Sequence, residues 1–342
     1  MRLFASPFGR LNQWQRWRDL ERLDQLSRHT AAEIDRQGYQ VVYANPSLYT
    51  QAPSVLNYLT TPSVYQANEP LRMAYEADIP RPYHNAGWRG RLDRIDPLIG
   101  LYRRRLAVVD RRNTLRATQL LAFSQYTADN LRRIYGRPTG VSYPGIDPES
   151  FQPPAEHGRQ HSVLSVGALR PNKGFDFLIE ALAHISPERR PPLRLVGNAD
   201  DRLERDYLTN LANDLDVDLT IETNVTQEIL ALRYHQAALV VYAPVSEPLG
   251  FVPLEAAACG TAVVAVAEGG VLETIVPDST GLLTRRNPAE FAAAVETLLG
   301  SAARREQLGR QGRDWVTRTW TWDRTVDGVE AALVQAAERR RA

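Results

Sequence analysis

The chain has 342 residues, 43% hydrophobic and 24% charged, with a net charge of +1. This composition excludes a disordered chain, and no apolar run reaches the ~18 residues of a membrane helix. The single Cys259 excludes an internal disulfide and fits a reducing cytoplasm, while the length predicts two domains rather than one core.

The small net charge hides an asymmetry. Residues 1–150 carry 21 arginines against 14 acids, and the remainder carries 20 basic residues against 26 acids. The basic half reads either as a solvated arginine-rich face or as a surface that meets something anionic, such as lipid headgroups or a phosphorylated acceptor. Nucleic acid is not expected as a partner, because no basic motif with interleaved stacking aromatics is present.

In chain order, the N-terminus MRLFASPFGRLNQWQRW has no apolar segment of a signal peptide and reads as a tryptophan- and arginine-rich helix. Helical patterns follow at 11–37, 95–117 and 127–135. Between and after them lie strand candidates: YQVVYA (39–44), PSVYQA (62–67), QLLAFS (119–124) and GVSYP (140–144). A proline-rich polar stretch, DPESFQPPAEHGRQH, suits a linker at 148–161 after a first domain at 1–147.

The second domain, 162–318, is more regular. Strands SVLSVG, LRLVGN, LTIET, LVVYAP, TAVVAVA and GLLT alternate with helical segments such as FDFLIEALAHI, RLERDYLTNLAND and PAEFAAAVETLLG. Regular alternation of this kind predicts βαβ units, a parallel sheet covered on both faces and a Rossmann-like α/β domain. The tail, 319–342, ends in a helix expected to return to the first domain.

In such a sheet, ligands bind beyond the carboxyl ends of the strands. ALRPNKGFD lies there, and it contains the only lysine among 41 basic residues, Lys173. An ammonium is a compact point charge on a slim stem that can enter between phosphate oxygens where a guanidinium is too broad. Placed at a helix start, Lys173 predicts an anion site, most naturally for phosphate.

A second constellation, SEPLGFVPLEAAACGTAVVAVAEGG, follows the strand LVVYAP. Pro253 suits the first turn of a helix over about Val252 to Cys259, and Gly260 suits its stop. Glu247 then lies in the loop, and Glu255 one turn inside the helix. Carboxylates beside a phosphate site accept hydrogen bonds from hydroxyl groups, so a ligand with both phosphates and hydroxyls fits, a nucleotide or nucleotide-sugar.

GALRPNKG, EPLGFVPLEAAACG and AEGGVLETI, in this order and spacing, resemble the family-4 retaining glycosyltransferases, and SQYTADNLRRIYG with VSYPGID resembles the end of that family's N-terminal domain. Glu247 and Glu255 match the family's E-x7-E pair. The resemblance implies a GT-B fold, α/β with two Rossmann-like domains and a cleft between them. The N-terminal domain is expected to be incomplete, since no first strand with a glycine-rich loop precedes the helix.

The same resemblance implies roles. Lys173 would hold the donor diphosphate, Glu255 the ribose hydroxyls and Glu247 the transferred sugar. Backbone N–H groups of Phe251 and Val252, beside Gly250, would meet the distal phosphate, and Val225 would cradle the base. Ala168 stands where the family has an arginine, and Arg170 is the substitute expected to reach the phosphates. Glu247 and Lys173 are the catalytic candidates. Asn68, Glu69 and Arg72 are acceptor-side candidates, against the plainer reading of a surface ion pair.

The expected activity is transfer of a hexose from a UDP- or GDP-sugar to a glycan, lipid or small-molecule acceptor. No metal is expected and no cofactor, because the nucleotide-sugar is a substrate. The expected setting is cytoplasmic, with peripheral contact to an anionic membrane surface. The alternatives are a non-catalytic nucleotide-sugar-binding or interaction protein, and more remotely a nucleotide-sugar epimerase.

Overall fold

The computed structural model describes residues 9–85, 97–151, 158–198 and 201–339. Residues 152–157 of the expected linker lie outside these, as do residues 1–8 and the first two positions of the helix expected at 95–117. The chain divides into two compact units, one of Met1–Tyr143 with Thr325–Ala342 and one of Pro144–Arg324.

The first unit holds four parallel strands in the order β1 (Val42–Ala44), β2 (Ser63–Gln66), β3 (Gln119–Ala122) and β4 (Thr139–Val141). Its longer helices are α1 (Gly9–Arg36), α2 (Pro97–Arg116) and α3 (Gln125–Tyr135), and a single helical turn spans Arg72–Tyr75. The strand expected at 39–44 is shorter than its apolar run because β1 is an edge strand, paired with β2 only from Val42 to Ala44. Ser124 caps α3 by accepting from the Thr127 N–H, and Gly136 ends it at φ 71°.

A buried polar group fastens α2 to the chain around Ala52. Asp110 and Asn113 are both fully buried. Asp110 accepts from the Ala52 N–H (3.2 Å) and the Tyr135 hydroxyl (2.6 Å), and Asn113 donates to the Ala52 carbonyl (3.0 Å). Burial pushes the Asp110 carboxyl up to about 6, against the two hydrogen bonds that oppose it. The folded chain therefore holds this proton where the unfolded chain has released it. The resulting stability is complete below the ordinary carboxylate value and is lost as pH rises through about 6, a change of about 3 kcal/mol. Asp110→Asn removes the titration and keeps an acceptor oxygen. Its stability relative to the wild type is expected to rise between pH 4 and pH 7, as read from paired denaturation curves; a flat difference would refute the assignment.

The second unit is a six-stranded parallel sheet. Its strands are β5 (Val163–Val166), β6 (Leu193–Gly197), β7 (Leu219–Thr223), β8 (Leu239–Tyr242), β9 (Val263–Val266) and β10 (Gly281–Thr284), in the order β10-β9-β8-β5-β6-β7. Successive residues of each strand point to opposite faces. Leu195, Val241 and Val264 join one apolar cluster, while Val196, Val240 and Val263 join another. Both faces are thus buried, which is why these strands read as continuous apolar runs.

The helices of this unit are α4 (Phe175–Ala183), α5 (Arg202–Asp214), α6 (Gln227–Gln236), α7 (Phe251–Ala258), α8 (Val271–Thr274), α9 (Pro288–Leu299) and α10 (Ala302–Thr319). Helix α10 carries no expectation from the sequence, and Gly309 and Gly312 lie inside it. The structure gives the reason for both glycines. A Cβ on Gly309 would stand 2.1 Å from the Gly260 carbonyl oxygen, and one on Gly312 would stand 3.2 Å from the Ala257 Cβ, so α10 lies directly on α7. A last helix, α11 (Trp322–Glu338), places Ala332 and Ala336 against Val64 and Leu121 of the first unit's sheet. Among the described residues, no helix is long and apolar enough to cross a membrane.

Candidate functional site

The strand order of the second unit reverses between β5 and β8: the chain moves outward through β6 and β7, returns to β8 on the other side of β5, and continues through β9 and β10. At such a switch point the loops after the two central strands diverge and leave a crevice at the carboxyl edge of the sheet. Lys173 follows β5 and Glu247 follows β8. Topology therefore brings together two residues 74 positions apart.

The two loops are stitched to each other. The Val245 N–H donates to the Asn172 carbonyl (2.8 Å). Pro171–Lys173 forms a single tight turn ended by Gly174 at φ 66°, where a Cβ would lie 2.0 Å from the Ala243 carbonyl oxygen. The stem of Lys173 runs across Gly167, whose absent Cβ would meet its Cγ and Cδ at 3.3 Å. The ammonium ends 2.9 Å from Glu247 Oε2, with the two side chains 22% and 11% exposed. One Nζ–H is engaged by the carboxylate, and two more remain as donors.

Glu247 is held from behind. Ser246 adopts φ 54°, a conformation uncommon outside glycine. The Gly270 N–H donates to the Glu247 carbonyl (2.8 Å), and Cβ atoms on Gly269 or Gly270 would stand 2.7 Å from the Glu247 oxygen or 2.3 Å from the Pro248 oxygen. The glycine pair of AEGG is the floor on which the Glu247–Leu249 backbone rests. Arg286, which the sequence reading passes over, clamps the base of the same loop. It donates to the carbonyls of Ala243 (3.0 Å) and Pro244 (2.8 Å) while paired with Glu268 (2.6 Å). Its only signal in the sequence is a basic residue just beyond β10.

Helix α7 opens at Gly250, φ 102°, with no side-chain cap, so the positive end of its dipole lies three residues beyond Glu247. Phe251 is exposed and Val252 buried. Glu255 lies one turn in and is half-buried. Its Oε2 accepts from the Tyr234 hydroxyl at 2.5 Å. Burial raises the Glu255 carboxyl above the usual range, and the Tyr234 hydrogen bond opposes that rise.

The remaining candidates are dispersed. Val225 is half-buried and packs on the apolar cluster around α7. Arg170 is exposed and does not join the Lys173–Glu247 pair. In the first unit, Arg72 pairs with Glu69 (2.6 Å) and with Glu76 (3.4 Å), as the ion-pair reading expects. Asn68 follows β2, and its Oδ1 is buried with no hydrogen-bond partner. Among the described residues, no three His, Cys, Asp or Glu side chains gather where they could hold a metal ion.

Residues 147–315 match the family described as glycosyl transferases group 1. This stretch, just under half of the chain, is thus similar to that glycosyltransferase family. The chain is 35% identical over 237 residues to the D-inositol 3-phosphate glycosyltransferase of Geodermatophilus obscurus, covering 62% of this chain and 52% of that relative. It is 32% identical over 230 residues to a GDP-mannose-dependent alpha-(1-6)-phosphatidylinositol monomannoside mannosyltransferase of Mycobacterium tuberculosis, covering 60% and 59%. The chain thus spans about half the length of the curated relatives it matches.

As a fold, the chain is similar to sucrose-phosphate synthase from Thermosynechococcus elongatus, with a TM-score of 0.74, 21% identity and coverage of 94% of this chain and 79% of that one. It is likewise similar to Anabaena HepE in complex with UDP, with a TM-score of 0.68, 21% identity and coverage of 89% and 82%. With its two parallel α/β sheets, the chain has the GT-B architecture.

Proposed function

We propose that this chain transfers a hexose from a UDP- or GDP-sugar to a hydroxyl-bearing glycan, lipid or small-molecule acceptor, with retention of anomeric configuration and without a metal ion. The observation that carries the reading is the Lys173–Glu247 pair at the switch point, beside the uncapped start of α7. When the bond from the anomeric carbon to phosphate breaks, negative charge grows on the departing diphosphate. Fixed positive groups aimed there lower the barrier. Lys173 supplies an ammonium with two N–H groups to spare, and α7 supplies oriented backbone amides. Glu247, fixed by the ammonium on one side and the glycine floor on the other, accepts hydrogen bonds from the sugar hydroxyls and orients the ring.

The relatives and neighbours support this range of partners. One relative uses GDP-mannose and another acts on inositol 3-phosphate, while HepE was solved with UDP. A phosphorylated or lipid acceptor also suits the basic first half of the chain. There Trp14, Leu98, Leu101 and Val108 are exposed on α1 and α2 among Arg18, Arg104 and Arg105, a pattern that suits peripheral contact with an anionic membrane surface from the cytoplasmic side.

Thermal shift with UDP and GDP tests the donor site, since a ligand at 100 times its dissociation constant adds about 2.7 kcal/mol of stability. One of the two is expected to stabilise the protein. Glu247→Gln is expected to lower turnover by ten-fold or more, on the order of one lost transition-state contact, while leaving the nucleotide shift in place. If neither nucleotide shifts the wild type, the donor site is elsewhere. A shift without turnover on any sugar tested favours the non-catalytic binding protein.

A further inference from the structure

Tyr234 is a side chain the donor-site reading does not use. It is completely buried near the end of α6, yet its hydroxyl reaches Glu255 Oε2 at 2.5 Å. A phenol in this position has one polar atom in an apolar cluster, and that atom requires a partner. Here the partner is the half-buried carboxylate of Glu255, which the family resemblance implies for the ribose hydroxyls. The ring is fixed edge-on against Phe151, with centroids 6.1 Å apart, and the Tyr234 carbonyl accepts from the Thr261 hydroxyl (2.8 Å). Thr261 in turn donates its N–H to the Ala256 carbonyl of α7 (2.8 Å). The phenol is therefore rigid with respect to the helix that carries Glu255.

Building on the donor-site reading, we propose that Tyr234 is a positioning residue: its hydroxyl pins one oxygen of Glu255, so that the other is presented to the ribose diol of the nucleotide. The pin sets how strongly the protein distinguishes a ribonucleotide from a deoxyribonucleotide. Two effects carry it. A glutamate in the first turns of a helix otherwise loses rotamer freedom only when ligand arrives, and a pre-fixed carboxylate has already lost it. A phenol donating to a carboxylate also favours the ionised form, the stronger acceptor for a hydroxyl. The Glu255 carboxylate makes one hydrogen bond among the described residues, at Oε2, which leaves Oε1 as the acceptor.

Tyr234→Phe removes the hydroxyl and keeps the buried ring, so its melting transition is expected to stay cooperative. Titration calorimetry with UDP and GDP identifies the nucleotide that binds, and the 2′- and 3′-deoxy forms of that nucleotide then report discrimination. In the wild type, at least one deoxy form is expected to bind about ten-fold more weakly. In Tyr234→Phe, the ribonucleotide is expected to weaken by several-fold while the deoxy form is unchanged, so the ratio collapses. The loss of ribonucleotide affinity on acidification is also expected to begin at higher pH in the variant, which a purely structural tyrosine would not produce. Glu255→Gln, which retains an acceptor for the phenol and loses the charge, serves as a second variant and is expected to bind both forms alike. If the wild type does not discriminate, the ribose reading of Glu255 is wrong. If the wild type discriminates, Glu255→Gln does not, and Tyr234→Phe keeps the full ratio and the wild-type pH dependence, the donor site stands and the inference about Tyr234 is overturned.

Discussion

Lys173→Ala is expected to lower the rate of sugar transfer by roughly 10²–10³-fold, the cost of removing one preorganised group that meets developing charge. Nucleotide affinity should fall as well, because the diphosphate is charged before the bond breaks, but by less than the rate. The substitution also strands Glu247, which is 9% exposed, without its ammonium. A loss of roughly 1–3 kcal/mol of stability follows, below the range for a fully buried pair because the lysine is partly solvated. Lys173→Arg separates the two effects. A guanidinium can keep an ion pair with Glu247, so stability should largely return. Its planar fork cannot follow the slim path of the lysine stem over Gly167, so the rate should not recover. Full activity in Lys173→Arg would show that charge alone suffices and that the geometry of the loop is irrelevant.

Gly174→Ala is expected to cost more stability than any other single methyl addition to this site, on the order of 3–5 kcal/mol. Two penalties coincide there. The residue sits at φ 66°, and the new Cβ would stand 2.0 Å from the Ala243 carbonyl oxygen, which is backbone and cannot swing aside. The loop after β5 would have to separate from the loop after β8, breaking the Val245-to-Asn172 hydrogen bond and drawing Lys173 away from Glu247. Gly38→Ala is the internal control. Gly38 has a similar φ of 72° but nothing within 4 Å of the added carbon, so it should cost only about 1 kcal/mol. Urea midpoints of the two variants measure the difference. Equal midpoints would mean that the two loops are not in contact.

Both predictions depend on contacts between distant parts of the chain, and this marks the boundary of what could be read in advance. Strands of the second unit were legible because burial on both faces makes each one a short apolar run bounded by polar residues. The ends of α7 were legible because Pro253 and Gly260 act locally: one lacks an N–H that a first turn does not use, and the other sits at φ 65°. Lys173, Glu247 and Glu255 were legible as chemistry, since a lone ammonium among arginines and two carboxylates beside a helix start are properties of residue type and spacing.

Other features had no local signature. Helix α10 contains Gly309 and Gly312, which by propensity argue against a helix, and only the approach of the Gly260 carbonyl to one and of the Ala257 Cβ to the other explains them. Asp110 looks like any helical acid until Ala52 and Tyr135 close over it. The partners of the site residues were equally hidden, because nothing in the string links position 173 to 247, or 234 to 255.

By itself, then, the sequence determined the strands and most of the helices of the second unit and marked side chains whose chemistry suits phosphate and sugar, since those follow from burial pattern and functional group. Only the tertiary structure decided the strand order, the pairing of Lys173 with Glu247 and the pinning of Glu255 by Tyr234. Such pairings are set by the reversal of a parallel sheet between β5 and β8 and by the close backbone approaches that its glycines permit, and both are properties of the packed chain.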